Sequence, residues 1–229
     1  MTTQSAIHEG ALRSFPSSIR IGPIALPRRM AVVTLPSGGL WVHTPNELTD
    51  AVRAELDALG PVRHVVAPTK MHTAYLDDWR RAFPAAQFWG APGFAQHRPK
   101  LHVDRELGDV APPEFEDVFE QRVLPGAPRL DEVLFLHRPS RTLVVADLVF
   151  HVGAEAPFAT RLMMRLNGAY ARFTPTRIFR SVCEDRAAVR RAVLDLCAAW
   201  DFDAVHMSHG EPVTSGARER LRAAFESFS

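Results

Sequence analysis

The chain has 229 residues, 46% of them hydrophobic, with 27 basic and 26 acidic side chains. This composition is typical of a globular protein with one sizeable core. A net charge of +1 and the lack of a dense basic run give no reason to expect a nucleic-acid or membrane-surface partner.

The N-terminal stretch "MTTQSAIHEGALRSF" lacks the continuous apolar core of a signal peptide. We interpret residues 1–18 as a polar N-terminal segment and residues 19–229 as a single domain. No apolar run along the chain is long enough to cross a bilayer. Two cysteines, Cys183 and Cys197, fit a cytosolic chain better than a disulfide scaffold, so the sequence predicts a cytoplasmic protein.

Strands and then a helix are predicted next along the chain. The stretch "IRIGPIALPRRMAVVTLPSGGLWVHTP" alternates apolar runs with Gly and Pro, which indicates at least two strands joined by tight turns. In "TPNELTDAVRAELDALG", Thr44 is the predicted cap, Pro45 suits the first helical position and Glu47 completes a capping box. Gly60 is expected to end this helix. Its apolar face comprises Leu48, Val52, Leu56 and Leu59.

Strands and helices alternate through the rest of the chain. "VRHVVAP" predicts a strand that leads through a loop into a helix ending at Pro84, and "AQFWGAP" predicts a further short strand. The runs "FEDVFEQRVLPG", "DEVLFLHRPS" and "RTLVVADLVF" predict three strands, the last two joined by a hairpin. A long helix in "EDRAAVRRAVLDLCAAW", a short strand in "FDAVHMSHG" and a terminal amphipathic helix complete an α/β domain.

Polar residues follow three of the predicted strands, at residues 68–73, 146–147 and 207–211. In layered α/β folds, loops at strand ends present the polar groups of a site. Asp147 is either a turn or cap residue or a member of such a site, because an isolated buried carboxylate is disfavoured. His209, which precedes a glycine, is either held by an ordinary hydrogen bond or is a ligand.

The order of these elements resembles the metallo-β-lactamase superfamily. The phrases "GGLWVHTP", "VVAPTKMHTAYLDDW", "FPAAQFWGAPG", "EVLFLHRPSRTLVVADLVF" and "SHGEP" resemble an uncharacterised branch known chiefly as a domain of unknown function. The resemblance spans roughly residues 19–227. It implies an αββα sandwich, with two mixed β-sheets flanked by helices.

The resemblance also implies site residues. Asp147 corresponds to the metal-bridging aspartate, and His209 corresponds to the last histidine ligand. The usual His-x-His-x-Asp-His is replaced by "TKMHTAY", which leaves His72 alone, and the Pro-Gly-His of a third cluster ends in Ala127. A dinuclear centre needs about three protein ligands per metal, so the sequence predicts a reduced, mononuclear site at most.

Two further residues have open roles. His43 stands where the superfamily usually has an aspartate ending a strand, and it is interpreted as a fourth metal ligand, a group orienting a ligand, or a polar neighbour of Thr44. For His72 the alternative to ligation is a helix-start histidine facing water. Lys70 would hold a substrate anion or lie solvated at the surface. Five other histidines, His64, His97, His102, His137 and His151, are assigned structural or surface roles.

The predicted cofactor is one divalent transition metal, Zn, Fe or Mn, or none at all. Such an ion would lower the pKa of a bound water and polarise a carbonyl, which suits hydrolysis of a small ester, lactone or thioester. Asp147 and His209 would then be catalytic.

The alternative is an inactive member that lost its metal and binds a small molecule or a protein. A homodimer is compatible with both the hydrolase and the inactive, ligand-binding protein. A serine hydrolase and a dinucleotide enzyme are excluded, since the chain has neither a G-x-S-x-G elbow nor a Gly-rich turn after a strand.

Overall fold

The computed structural model describes residues 12–228. Its strands are β1 (Leu12–Ile21), β2 (Ile24–Thr34), β3 (Leu40–His43), β4 (Val62–Ala67), β5 (Gln87–Gly90), β6 (Arg105–Glu106), β7 (Phe119–Val123), β8 (Val133–His137), β9 (Thr142–Val145) and β10 (Ala204–Met207). Its helices are α1 (Asp50–Leu59), α2 (Leu76–Ala82), α3 (Phe94–His97), α4 (Phe158–Leu166), α5 (Arg177–Val182), α6 (Arg186–Ala199) and α7 (Ala217–Glu226).

The strands form two mixed sheets. The first has the order β1-β2-β3-β4-β5-β6, antiparallel from β1 to β3 and parallel from β3 onward. The second has the order β10-β9-β8-β7, in which only β10 and β9 run parallel. The hairpin predicted between β8 and β9 is confirmed.

Three apolar layers hold the two sheets and the helices together. Between the sheets, Trp41 and Trp89 of the first sheet pack with Phe119 and Phe135 of the second. The other face of the first sheet packs on α1 and α2, through residues such as Leu56 and Trp79. The other face of the second sheet packs on α6 and α7. This layering is the predicted αββα sandwich.

The first strand begins earlier than the predicted domain boundary at residue 19. Leu12 and Phe15 are buried, and β1 pairs with β2 from Leu12 opposite Val33. The stretch 12–18 is therefore part of the first sheet, because its apolar side chains fit the pleat beside β2. Residues 1–11 of the predicted polar segment lie outside the described residues.

The predicted start of α1 is wrong by five residues. Thr49, and not Thr44, caps the helix, since its side chain accepts a hydrogen bond from the backbone N–H of Val52 at 3.3 Å. Thr44 has a φ of 53°, and its hydroxyl lies 2.7 Å from the carbonyl oxygen of its neighbour His43. Val52, Leu56 and Leu59 of the predicted apolar face and the end at Gly60 are confirmed, whereas Leu48 lies before the helix and packs on the same core.

Within residues 12–228, no helix combines the length and the apolar character that a bilayer span requires. The cytoplasmic location stays a prediction.

Candidate metal site

The structure brings His72, Asp147 and His209 together. Their candidate ligand atoms all lie within 4.8 Å of one another, although the residues are up to 137 positions apart in the chain. Nε2 of His72 lies 3.1 Å from Oδ1 of Asp147, and Nε2 of His209 lies 3.4 Å from the same oxygen. All three come from loops that follow strands, β4, β9 and β10 respectively, as the sequence predicted.

Thr69 shapes the loop that carries His72. Its hydroxyl oxygen accepts hydrogen bonds from the backbone N–H groups of Met71 and His72, at 3.1 and 3.2 Å. The same hydroxyl lies 3.4 Å from Oδ2 of Asp147. One side chain therefore fixes the loop and approaches the carboxylate, which explains why His72 is buried and does not face water.

Glu132 holds the turn that carries Asp147. Its two carboxylate oxygens accept hydrogen bonds from the backbone N–H groups of Ala146 and Asp147, at 2.7 and 3.1 Å. Glu132 is fully buried, and burial together with the Asp147 charge raises its pKa to about 8. The Asp147 turn is thus oriented by a second carboxyl group behind it.

The ionisation of Asp147 is governed by its two histidine neighbours. Burial alone would raise its pKa, but the charges and hydrogen bonds of His72 and His209 outweigh burial and hold the pKa well below the usual range. Burial lowers the pKa of His72, although Asp147 opposes this shift. The cluster therefore favours a carboxylate that faces imidazole nitrogens, which is the ionisation state that metal ligation requires.

His209 is locked in one orientation by β2 and by an aromatic ring. Its Nδ1 lies 3.0 Å from the carbonyl oxygen of Pro27, which can only accept, so Nδ1 carries the hydrogen. Phe150 stacks on the imidazole with ring centroids 4.7 Å apart and planes 18° apart. Nε2 is consequently left to face Asp147.

Arg29 and Gly210 fix the backbone around His209. The guanidinium of Arg29 donates to the carbonyl oxygen of Gly210 at 2.6 Å and pairs with Glu211. Gly210 has a φ of 108°, and a Cβ there would lie 2.0 Å from the carbonyl oxygen of His151. The glycine thus permits close packing of this backbone against His151.

His43 is not part of the cluster. It is fully buried, stacks on Trp41 at 5.5 Å and meets Phe135 edge-on, and neither of its ring nitrogens has a hydrogen-bond partner among the described residues. Burial lowers its pKa well below the usual value, with a further contribution from nearby His206. His43 therefore lies in the core beside the site, and its predicted roles as a ligand or as a group orienting a ligand stay predictions.

Lys70 lies next to the site but is already paired. Its ammonium donates to the carbonyl oxygen of Pro128 at 2.8 Å and forms an ion pair with Asp131. Ala127, in the position of the missing third histidine, is buried in the core. Lys70 thereby ties the loop after β4 to the loop before β8, and two of its three N–H donors are engaged. Its predicted binding of a substrate anion stays a prediction.

The geometry of the cluster fits a metal ion. Two ligands about 2.0–2.1 Å from a tetrahedral zinc are roughly 3.3 Å apart, and the measured separations from Asp147 are 3.1 and 3.4 Å. If His209 is neutral, its unprotonated Nε2 faces an oxygen that is also an acceptor. A cation between them turns this unfavourable contact into ligation. These three residues would supply three protein ligands and leave positions open.

Asp147 also lines a cavity of about 500 Å³, which gives the cluster access to a ligand.

Solved structures of metallo-β-lactamases share this fold. The DIM-1 metallo-β-lactamase exposed to ceftazidime superposes with a TM-score of 0.70 at 13% identity, covering 99% of this chain and 97% of that one. A metallo-β-lactamase from Pontibacter korlensis gives 0.68 at 12% identity, covering 99% and 100%. The mono-zinc form of FIM-1 from Pseudomonas aeruginosa gives 0.67 at 12% identity, covering 98% and 94%. The fold is therefore that of the metallo-β-lactamases, with a His-Asp-His cluster that could hold a metal.

Within that class, the family is shown by sequence. The model of the family described as "Domain of unknown function (DUF4336)" matches residues 10–192, and the chain belongs to this family. A comparison with curated proteins finds no match.

Proposed function

We propose that the protein is a mononuclear metal-dependent hydrolase of an ester, lactone or thioester. The observation that carries the proposal is the arrangement of Pro27, His209 and Asp147. Because Pro27 fixes a hydrogen on Nδ1 of His209, Nε2 is the nitrogen that can offer a lone pair to a metal ion beside the Asp147 carboxylate, 3.4 Å away. Either a second proton on Nε2 or a divalent cation bound by both atoms satisfies this contact, and the cation is the one we propose.

Zn²⁺, Fe²⁺ and Mn²⁺ suit two imidazoles and one carboxylate, whereas Mg²⁺ and Ca²⁺ prefer oxygen ligands alone. Zinc is the first ion to test, because one of the similar structures is a mono-zinc form. When bound, such an ion supplies a Lewis acid and lowers the pKa of a coordinated water.

The residues of this chain would provide position and environment for the reaction. His72 and His209 hold the ion against Asp147, and Pro27 and Phe150 keep His209 from rotating. Glu132 keeps the Asp147 turn in place. Asp147, with a side chain 16% exposed, lies at the boundary between the buried cluster and the open cavity. A substrate carbonyl entering through that cavity would meet the cluster at Asp147.

The test is hydrolysis of a panel of esters, lactones and thioesters by protein reconstituted with Zn²⁺, Fe²⁺ or Mn²⁺. We expect turnover that a chelator removes and that falls to background in Asp147→Asn. The matched control is Asp195→Asn, an exposed carboxylate of α6 outside the cluster. Turnover that survives in Asp147→Asn, or turnover insensitive to the chelator, would overturn the proposal.

A second candidate is a non-catalytic member that binds a small molecule. It is favoured by the burial of Ala127 in the core and by the Lys70–Asp131 pair, which occupy the region where the superfamily places further ligand histidines. Metal-free protein that gains thermal stability from a metabolite, but never hydrolyses it, would support this candidate.

A further inference from the structure

The cavity beside Asp147 has a predominantly apolar lining. Its volume is about 500 Å³, within the range of small-molecule sites. The apolar lining residues come from four segments, the loop after β4, the loop before β8, the segment after β9 and helix α5: Met71, Leu130, Phe150, Ile178, Phe179 and Val182. Asp147 lines the same cavity, so the apolar space is continuous with the His-Asp-His cluster.

The lining residues differ in exposure, and two of them leave apolar surface in contact with water. Leu130, Phe150 and Phe179 are 5%, 9% and 2% exposed, so they form a packed wall. Met71 and Ile178 are 56% and 58% exposed, although both are large and apolar. Each belongs to a different segment lining the cavity, the loop after β4 and helix α5. An apolar group bound between them would remove both side chains from water.

The charge around the cavity also constrains the ligand. Arg129 lines it and is exposed, and its side chain forms no ion pair or hydrogen bond within residues 12–228. Asp147 is the carboxylate among the lining residues, and it faces the two histidines. His97 and Thr176 also line the cavity, but Thr176 is buried and its hydroxyl already accepts a hydrogen bond from the backbone N–H of Phe179. The predominantly apolar lining therefore favours an apolar ligand over a purely polar one such as a sugar.

We propose that this cavity binds the apolar acyl group of the substrate, with the scissile carbonyl placed at the Asp147 end. The inference rests on the proposed hydrolase function and narrows its substrate class to esters, thioesters or lactones of medium-length apolar acids. Ile178 and Met71 are the residues that set acyl-chain preference. Neither contacts the reacting atoms, so each acts on substrate affinity and placement.

The kinetic test compares p-nitrophenyl acetate, butyrate and octanoate on the zinc-loaded protein. Each additional methylene that is held in an apolar pocket improves kcat/KM by about 10-fold or more, so we expect a marked preference for octanoate. Ile178→Ser is expected to lower kcat/KM for octanoate by about 10-fold and to leave acetate almost unchanged. Leu162→Ser is the control, since Leu162 is also an exposed apolar residue, 46% exposed, on α4 outside the cavity.

A binding test separates this inference from the proposed function. The neutral probe 1-octanol is expected to raise the Tm of metal-free wild-type protein and of Leu162→Ser, and to have a smaller effect on Ile178→Ser. If no ester is hydrolysed but this pattern is found, the hydrolase proposal fails and the apolar site stands. Equal kcat/KM for all chain lengths, or an equal loss for acetate and octanoate in Ile178→Ser, would overturn the inference. So would an absence of both hydrolysis and 1-octanol stabilisation.

Discussion

Nδ1 of His209 lies 3.0 Å from the carbonyl oxygen of Pro27, 182 residues away in the chain, and this contact determines which nitrogen of His209 faces Asp147. The contact joins the first sheet to the loop after the last strand of the second sheet. The orientation of one predicted ligand is therefore a consequence of the whole sandwich.

Gly210→Ala should destabilise the protein by at least about 2 kcal/mol, because a positive φ and a collision would combine. The new Cβ would lie 2.0 Å from the carbonyl oxygen of His151, and the backbone atoms there have little freedom to move. Denaturant unfolding measures the change. Gly108→Ala is the control, since a Cβ at Gly108 meets nothing within 4 Å. An equal effect of the two substitutions would show that the turn after His209 is loosely packed.

Glu132→Gln should cost about 1–3 kcal/mol of stability, because the amide NH₂ would face one of the two backbone N–H donors that the carboxylate now satisfies. The Asp147 turn would shift as a result, and zinc affinity should fall by about 10- to 100-fold. Calorimetric titration with zinc measures the second effect. Glu120→Gln, which loses only a 3.9 Å ion pair with Arg138 at the surface, should change neither quantity. Unchanged zinc affinity in Glu132→Gln would contradict a positioning role.

The fold could be predicted from the sequence because its signals are local. Alternating apolar runs, turn residues and an apolar helix face are each visible within a dozen residues. Asp147, His209 and His72 were predicted as site residues because each follows a predicted strand. The start of α1 could not be predicted because Thr44 and Thr49 are both residues that commonly cap helices. In the structure the Thr44 hydroxyl donates to the carbonyl oxygen of Arg29 in the neighbouring strand, and Thr49 is the residue that caps the helix.

The groups that hold the metal site could not be predicted in the same way. Arg29 meets Gly210 across 181 residues, and Pro27 meets His209 through a backbone carbonyl that has no sequence signature. The sequence offers one weak signal for the role of Glu132, since an acidic residue stands directly before a fully buried strand. His206, buried and three residues before His209, was overlooked because it sits inside an apolar strand.

Acid should destabilise the metal-free protein partly through His206. Burial lowers the pKa of His206 to about 3, whereas an unfolded histidine titrates near about 6.5. As the pH falls below about 6.5, the unfolded state binds a proton that the folded state does not, and stability is lost until the pH nears 3. The loss is at most about 1.4 kcal/mol per pH unit for this group.

His206→Gln should therefore show a smaller loss of stability between pH 7 and pH 5 than the wild type. The comparison uses urea unfolding in the presence of a chelator, so that metal release does not contribute. His102→Gln is the control, because the His102 side chain is 73% exposed. If His206→Gln and the wild type lose stability in parallel, another group must be responsible for the acid sensitivity.

Metal content is the most direct test of the central claim, that His72, Asp147 and His209 form one metal site. Protein purified without chelator or metal-affinity resin should contain about one equivalent of zinc, iron or manganese by elemental analysis. His209→Ala and Asp147→Ala should retain less than about a tenth of an equivalent, and the exposed-site control His102→Ala should match the wild type. Less than about a tenth of an equivalent in the wild type, even after reconstitution with each metal, would contradict the account.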